Sequence, residues 1–190
     1  MSLRLFAAIT PPEEVVASLS HFLAPRWEAD QSLRWTRPEQ WHITLAFMPQ
    51  VPERALDDLV VRLGRAGRRR SPMELQLASA GVFPDVYEAR VLFVEPVLAE
   101  PVARELNRLA TGVRHAAARA GAAPGGGRFH PHLTVARSPG PFEATRWLRV
   151  LRSWRSSEWV ADDFSLFSSD LGATSSGRPV HTLLETFPIG

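Results

Sequence analysis

Apolar and polar positions change period several times along this chain, and each change marks an element. Leu3 to Ile9 is a short apolar run with β character and reads as a first strand. Thr10-Pro11-Pro12-Glu13 then reads as a helix start, with Thr10 as the cap, Pro11 in the first turn and Glu13 at the acidic position of a capping box. Val15, Val16, Leu19, Phe22 and Leu23 follow at helical spacing and define that helix's buried side. Leu33 to Thr36 and Trp41 to Phe47 read as two strands around the turn Pro38-Glu39-Gln40. From Pro52 to Arg65 the apolar residues Leu56, Leu59, Val60 and Leu63 return to helical spacing.

Met73 to Ala80 alternates as a strand, and Ala89 to Val94 is a β-rich run after the turn Phe83-Pro84-Asp85. Val97 to Ala120 is a long alanine- and arginine-rich helical pattern that ends in the glycine-rich loop Gly121 to Gly127. His132 to Ala136 reads as a strand and Phe142 to Leu151 as a helix. Trp159 to Leu171 and Val180 to Phe187 complete a strand-rich C-terminus, joined by turn residues from Gly172 to Gly177. This mixed order predicts an α+β fold in which helices cover the outer faces of antiparallel sheets. With no composition break to mark a linker, residues 1–190 are expected to form a single domain of two intertwined lobes.

Composition narrows the chemistry. All 22 basic residues are arginine, and the formal net charge is only +2. Such a chain has a weak long-range field, so any contact with nucleic acid is expected to be local. Without lysine there is no P-loop lysine, Schiff base or lysyl-adenylate. Without cysteine there is no thiol nucleophile, thiolate zinc site or disulfide. No run approaches the ~18 apolar residues of a membrane helix, and Met1 to Phe6 does not read as a signal peptide. A cytoplasmic location without membrane association is the expectation, as is a monomer.

One short pattern occurs twice, ninety residues apart: Trp41-His42-Ile43-Thr44-Leu45-Ala46 and Pro131-His132-Leu133-Thr134-Val135-Ala136. Alternate residues of a strand share a face. Each copy therefore offers an imidazole and a hydroxyl on one side and two aliphatic side chains on the other. A lone His-x-Thr is commonplace, but apolar strands seldom carry a histidine twice at matched positions, because a buried imidazole needs partners. Two imidazoles that titrate near neutrality can serve as an acid and a base, with the threonine hydroxyls holding an anion between them. No metal is required, and two histidines without a carboxylate or thiolate nearby make a poor ligand set.

The pair His42-Ile43-Thr44-Leu45 and His132-Leu133-Thr134-Val135 resembles the twin signature of the 2H phosphoesterase superfamily. Arg34-Trp35, Pro38-Glu39-Gln40-Trp41-His42, Gly81-Val82-Phe83-Pro84, Phe129-His130-Pro131-His132 and Ser169-Asp170-Leu171-Gly172 resemble its bacterial RNA 2',3'-cyclic phosphodiesterases, also called 2'-5' RNA ligases. The resemblance implies a bilobal fold of two antiparallel sheets with pseudo-twofold symmetry, flanked by outer helices. It implies cofactor-free hydrolysis of terminal 2',3'-cyclic phosphates, on RNA ends or nucleotides, to 2'-phosphomonoesters. It casts His42 as general acid, His132 as base, and Thr44, Thr134 and Arg137 as phosphate ligands.

Arg137 follows His132 by five residues, as Phe47 follows His42, so simple parity turns both away from the histidine face. A bulge or strand end must redirect Arg137 if it is to serve. Phe47 and His181 are further candidates for substrate contact; His181 stands where the family carries a tyrosine. Two alternatives remain open at this point: a different cyclic phosphate such as ADP-ribose 1'',2''-cyclic phosphate, or a non-catalytic nucleotide- or RNA-binding module. His130 is expected to support rather than catalyse, His21 and His115 to be solvated, and Trp41 to pack. Arg68-Arg69-Arg70 is the best basic patch for a trailing RNA backbone.

Overall fold

A computed structural model describes residues 2–171 and 179–190 of the chain; the 172–177 turn expected from sequence lies outside these. Among the described residues the strands are β1 (Ser2–Ile9), β2 (Arg34–Trp35), β3 (Ile43–Pro52), β4 (Met73–Leu75), β5 (Leu77–Phe83), β6 (Ala89–Pro96), β7 (Leu133–Phe142), β8 (Trp159–Ala161), β9 (Asp163–Asp170) and β10 (Val180–Pro188). The helices are α1 (Glu13–Ala29), α2 (Leu56–Gly67), α3 (Glu100–Arg119) and α4 (Thr145–Leu151). None is long and apolar enough to cross a membrane.

The α+β expectation holds, and every strand pairing is antiparallel. The main sheet runs β10-β9-β1-β3-β7-β6-β5, with β2 added on β7, while β4 and β8 form a separate pair. The two sheets of the expected fold are thus the halves of one hydrogen-bonded surface. They join between β3 and β7 at a single residue pair, Ile43 with Leu133. Those are the residues that directly follow His42 and His132.

Helices α2 and α3 pack on each other and cover the half that holds β3 and β10. Close approach there depends on Gly67, where a Cβ would come within 2.4 Å of the Pro188 carbonyl oxygen. α4 packs on β5 of the other half. Trp154, just beyond α4, reaches α1, where its indole donates to the Ser18 hydroxyl and its ring lies 6.3 Å from Phe22. Helices close in sequence to one half therefore pack on the other. Trp41 is buried in the core, as expected.

Some boundaries differ from the sequence reading, for identifiable reasons. Thr10 does not cap α1. Helix-compatible backbone is disfavoured before a proline, so Pro11 cannot be helical, and the helix starts after Pro12. The Pro12 carbonyl then accepts from the amides of Val15 and Val16. The Met73–Ala80 run is two strands divided at Gln76, and they join different sheets. The helix expected from Phe142 begins only at Thr145, because β7 continues through Pro139 and Pro141 to Phe142. Beyond Arg137, β7 pairs with β6 alone, and a strand edge without partners tolerates proline.

Candidate active site

The Ile43–Leu133 pair determines what faces the cleft. An antiparallel ladder through that pair sets His42 across from Thr134, and Thr44 across from His132. Cross-strand neighbours of this kind have Cβ atoms about 4.5–5.5 Å apart. Each imidazole is thereby set beside the hydroxyl of the other copy. Ile43, Leu45, Leu133 and Val135 are all buried on the opposite face. His42, Thr44, His132 and Thr134 line one cavity of about 1050 Å³, and all four are half-buried.

Both histidines are held in the same way. Nδ1 of His42 lies 2.7 Å from the Gln40 carbonyl oxygen, and Nδ1 of His132 lies 2.7 Å from that of His130. A carbonyl only accepts, so Nδ1 carries the proton in both rings and Nε2 is the atom left for chemistry. Each ring also rests on phenylalanine. His42 stacks on Phe6 at 4.6 Å, while His132 lies against Phe93 at 4.9 Å and Phe83 at 5.1 Å.

These surroundings disfavour the charged imidazolium. Burial pushes His42 down to about 4, opposed by its bond to Gln40 and reinforced by His181, His132 and Arg137. Burial likewise lowers His132, with its bond to His130 opposing and the charges of His130 and Arg137 adding to the effect. Arg137 thus acts on both rings, which puts it within electrostatic reach of each.

Its position has a structural cause. In the β6–β7 pairing, Phe93 aligns with Thr134 and Leu92 with Ala136, so Val135 is an unpaired bulge residue. In the β1–β3 pairing, Ala8 aligns with Thr44 and Ala7 with Ala46, so Leu45 is bulged likewise. Two consecutive residues point into the core in each copy, Leu45-Ala46 and Val135-Ala136. Parity then reverses, and Phe47 and Arg137 line the cleft. The redirection that sequence demanded of Arg137 occurs, and it occurs twice.

His181 also lines the cavity, edge-on to Phe6 at 4.7 Å and to His42 at 5.6 Å. His130 bonds through Nε2 to Glu95 Oε2 at 2.7 Å, gives His132 a hydrogen bond through its backbone carbonyl and lies ring to ring with it at 5.9 Å, a supporting position. His21 and His115 are exposed. No cluster of three or more metal-ligating side chains occurs among the described residues.

Sequence reasoning missed several cleft residues. Arg4 and Phe6 alternate on β1, the neighbour of β3, and both face the cavity. The Arg4 guanidinium lies 4.6 Å over the Phe47 ring. Their signal was a charged residue two positions before an aromatic in an apolar strand, but only the pairing of β1 with β3 gives it meaning. Arg34, Arg37, Gln40 and Ser169 also line the cavity, and none of the described lining residues is a carboxylate.

Gly81 supports the second histidine indirectly. A Cβ there would meet the Phe93 ring at 2.6 Å, so the ring's place depends on the missing side chain. Gly81→Ala is expected to push Phe93 toward His132 and lower kcat about tenfold, a partial loss beside the ~10²-fold or more of general acid–base catalysis, because the imidazole is displaced and not removed. Steady-state turnover beside a thermal melt checks this; wild-type kcat in a folded variant contradicts it.

The sequence profile of the 2'-5' RNA ligase superfamily matches residues 11–173. A Thermus thermophilus protein named RNA 2',3'-cyclic phosphodiesterase is 34% identical over 98% of this chain and 90% of its own length. An Escherichia coli protein of the same name is 29% identical over 98% of this chain and 96% of itself. The crystal structure of E. coli LigT complexed with 3'-AMP superimposes with a TM-score of 0.75 at 26% identity, covering 100% of this chain and 99% of the other. Shared fold, shared length and a matching profile agree: this chain belongs to the 2'-5' RNA ligase superfamily, the 2H phosphoesterases.

Proposed function

We propose that the chain hydrolyses 2',3'-cyclic phosphates at the ends of RNA or on nucleotides, leaving a 2'-phosphomonoester and a free 3'-hydroxyl. The observation that carries this reading is the Ile43–Leu133 pairing, which presents two imidazoles with free Nε2 atoms and two hydroxyls to one cavity. Membership of a phosphoesterase superfamily makes the chain an enzyme of phosphodiester chemistry, and the names of its relatives support this substrate class.

The steps follow from the parts. Thr44, Thr134 and Arg137 hold the non-bridging oxygens, and the arginine offsets the phosphate charge. His132 Nε2 takes a proton from water as the water oxygen bonds to phosphorus. The bond from phosphorus to the 3' oxygen breaks, and His42 donates its Nε2 proton to that oxygen. Solvent returns the proton from His132 to His42 and resets the site. Burial lowers both rings, His42 to about 4, so the division of roles rests on the resemblance to the superfamily, and His42 donates only after taking a second proton at Nε2. Both proton transfers use side chains, so the reading assigns no role to a metal. One unit must contain both halves, because each supplies one imidazole. Phe47 and His181 line the same cavity, which supports a role for them in holding the nucleoside attached to the phosphate.

The test is incubation of the purified chain with a nucleoside 2',3'-cyclic phosphate in EDTA, followed by identification of the phosphomonoester. The 2' isomer alone supports the reading. No turnover, or the 3' isomer, overturns it. Turnover of ADP-ribose 1'',2''-cyclic phosphate but not of the nucleotide would reassign the substrate.

A further inference from the structure

A second large cavity, of about 930 Å³, lies between α2 and α3 on the outer side of the half that carries His42; it shares no residue with the histidine cleft. Four arginines line it from α2 and the turn after it: Arg62, Arg65, Arg69 and Arg70. Three more come from α3: Arg104, Arg108 and Arg119. On α2 the spacing of three residues puts Arg62 and Arg65 on one face, and the turn after the helix brings Arg69 and Arg70 to the same cavity. On α3, Arg104, Arg108, His115 and Arg119 follow the same rule and extend about 22 Å at ~1.5 Å per residue. Ala66 and Gly112 also line the cavity, and a Cβ on Gly112 would sit 3.8 Å from that of Ala66. Small residues where the helices meet leave an open groove between two arginine walls. Arg68, by contrast, folds over Gly64 and is not among the lining residues.

The charge in this groove is only partly met. Asp58 pairs with Arg62, Glu100 with Arg104, and Glu105 with Arg70 and Arg108. Arg65, Arg69 and Arg119 make no ion pair among the described residues. Seven guanidiniums against three carboxylates leave an excess of four positive charges, in a chain whose whole formal charge is +2. Like charges held this close repel and are relieved by a polyanion. Among the described residues no phenylalanine, tyrosine or tryptophan lines the groove, so it lacks the large aromatic platforms on which single-strand binders stack successive bases.

We propose that this groove is a second binding site that tracks the sugar–phosphate backbone of single-stranded RNA, without reading its sequence. Guanidinium forks match phosphate oxygens, and rows of cations on facing helices suit a chain of regularly spaced anions. The α3 end leads into the loop 121–127, where the Gly125 amide donates to the Phe47 carbonyl at 2.8 Å and the Arg114 guanidinium donates to the Gly125 carbonyl at 2.8 Å. Groove and cleft wall are thereby tied together. The site binds whether or not the cleft turns over, so it stands apart from the catalytic reading.

The experiment uses the full chain with Arg65→Glu, Arg69→Glu and Arg119→Glu combined, and the matching triple glutamine variant. Binding of a labelled single-stranded RNA of about 20 nucleotides, without a cyclic end, is followed by anisotropy across a salt series. Affinity is expected to fall at least tenfold in either variant. The slope of log K against log salt is expected to drop by about 2, from ~0.7 per phosphate contact. Turnover of a mononucleoside 2',3'-cyclic phosphate should match wild type, which also reports correct folding. Unchanged RNA affinity in the folded glutamine variant overturns the proposal, as does wild-type binding to anionic phospholipid vesicles but not to RNA.

Discussion

His42→Ala and His132→Ala are each expected to lower kcat by ~10²-fold or more, the scale of general acid–base catalysis. The two rings act as a unit across one phosphate, so the double variant should be little worse than either single one. Additive losses would mean that the rings serve separate steps. The bonds from Nδ1 to the carbonyls of Gln40 and His130 make the effect specific to Nε2. Neither ring is part of the packed core, so both variants should fold and retain much of their substrate affinity. Thr44→Ala and Thr134→Ala should cost less, about tenfold, because each removes one neutral donor among several. Steady-state kinetics on a cyclic nucleotide measures all of these.

Arg137→Gln carries the next largest expected effect, a loss of about 10²-fold in kcat/KM, as for removal of one pre-positioned donor to a developing oxyanion. It also has a signature that a purely structural role would lack. The Arg137 charge helps to hold both His42 and His132 low, so removing it should raise both and shift the pH optimum upward. Loss of turnover with an unmoved profile would place Arg137 away from the reacting phosphate. Arg34, paired with Arg137 across β2 and β7, is the neighbouring cation on which the same substitution should do less.

Much of this site was legible in the sequence because its chemistry is written in strands. Period two puts His42 with Thr44 and His132 with Thr134, and the buried aliphatic residues between them confirm the face. The need for a bulge or strand end near Arg137 followed from parity together with the phosphate-binding role that the resemblance implies. Its location did not, although both copies carry the cue, an aliphatic residue and then alanine after the threonine. That small second residue lets two consecutive side chains enter the core. Arg4, Phe6, Phe83 and Phe93 were illegible for another reason. Each reaches the site from a neighbouring strand, and no local pattern tells which strands will pair. Thr10 misled because local capping chemistry was read without the restriction that Pro12 places on Pro11. The seam between the two halves was hidden too, since a single residue pair leaves no trace in composition.

The most direct test of the paired-imidazole mechanism is kcat/KM for a 2',3'-cyclic nucleotide against pH, which reports the ionisations of the free enzyme. Catalysis needs one ring charged and the other neutral, so activity should fall on both sides of a maximum. Both rings are depressed, His42 to about 4, and that maximum should therefore lie on the acid side of 6.5, the ordinary imidazole value. A bell with its peak in that window is the predicted result. A profile that rises without a second limb, or that peaks well above neutrality, would contradict two histidines sharing the proton work.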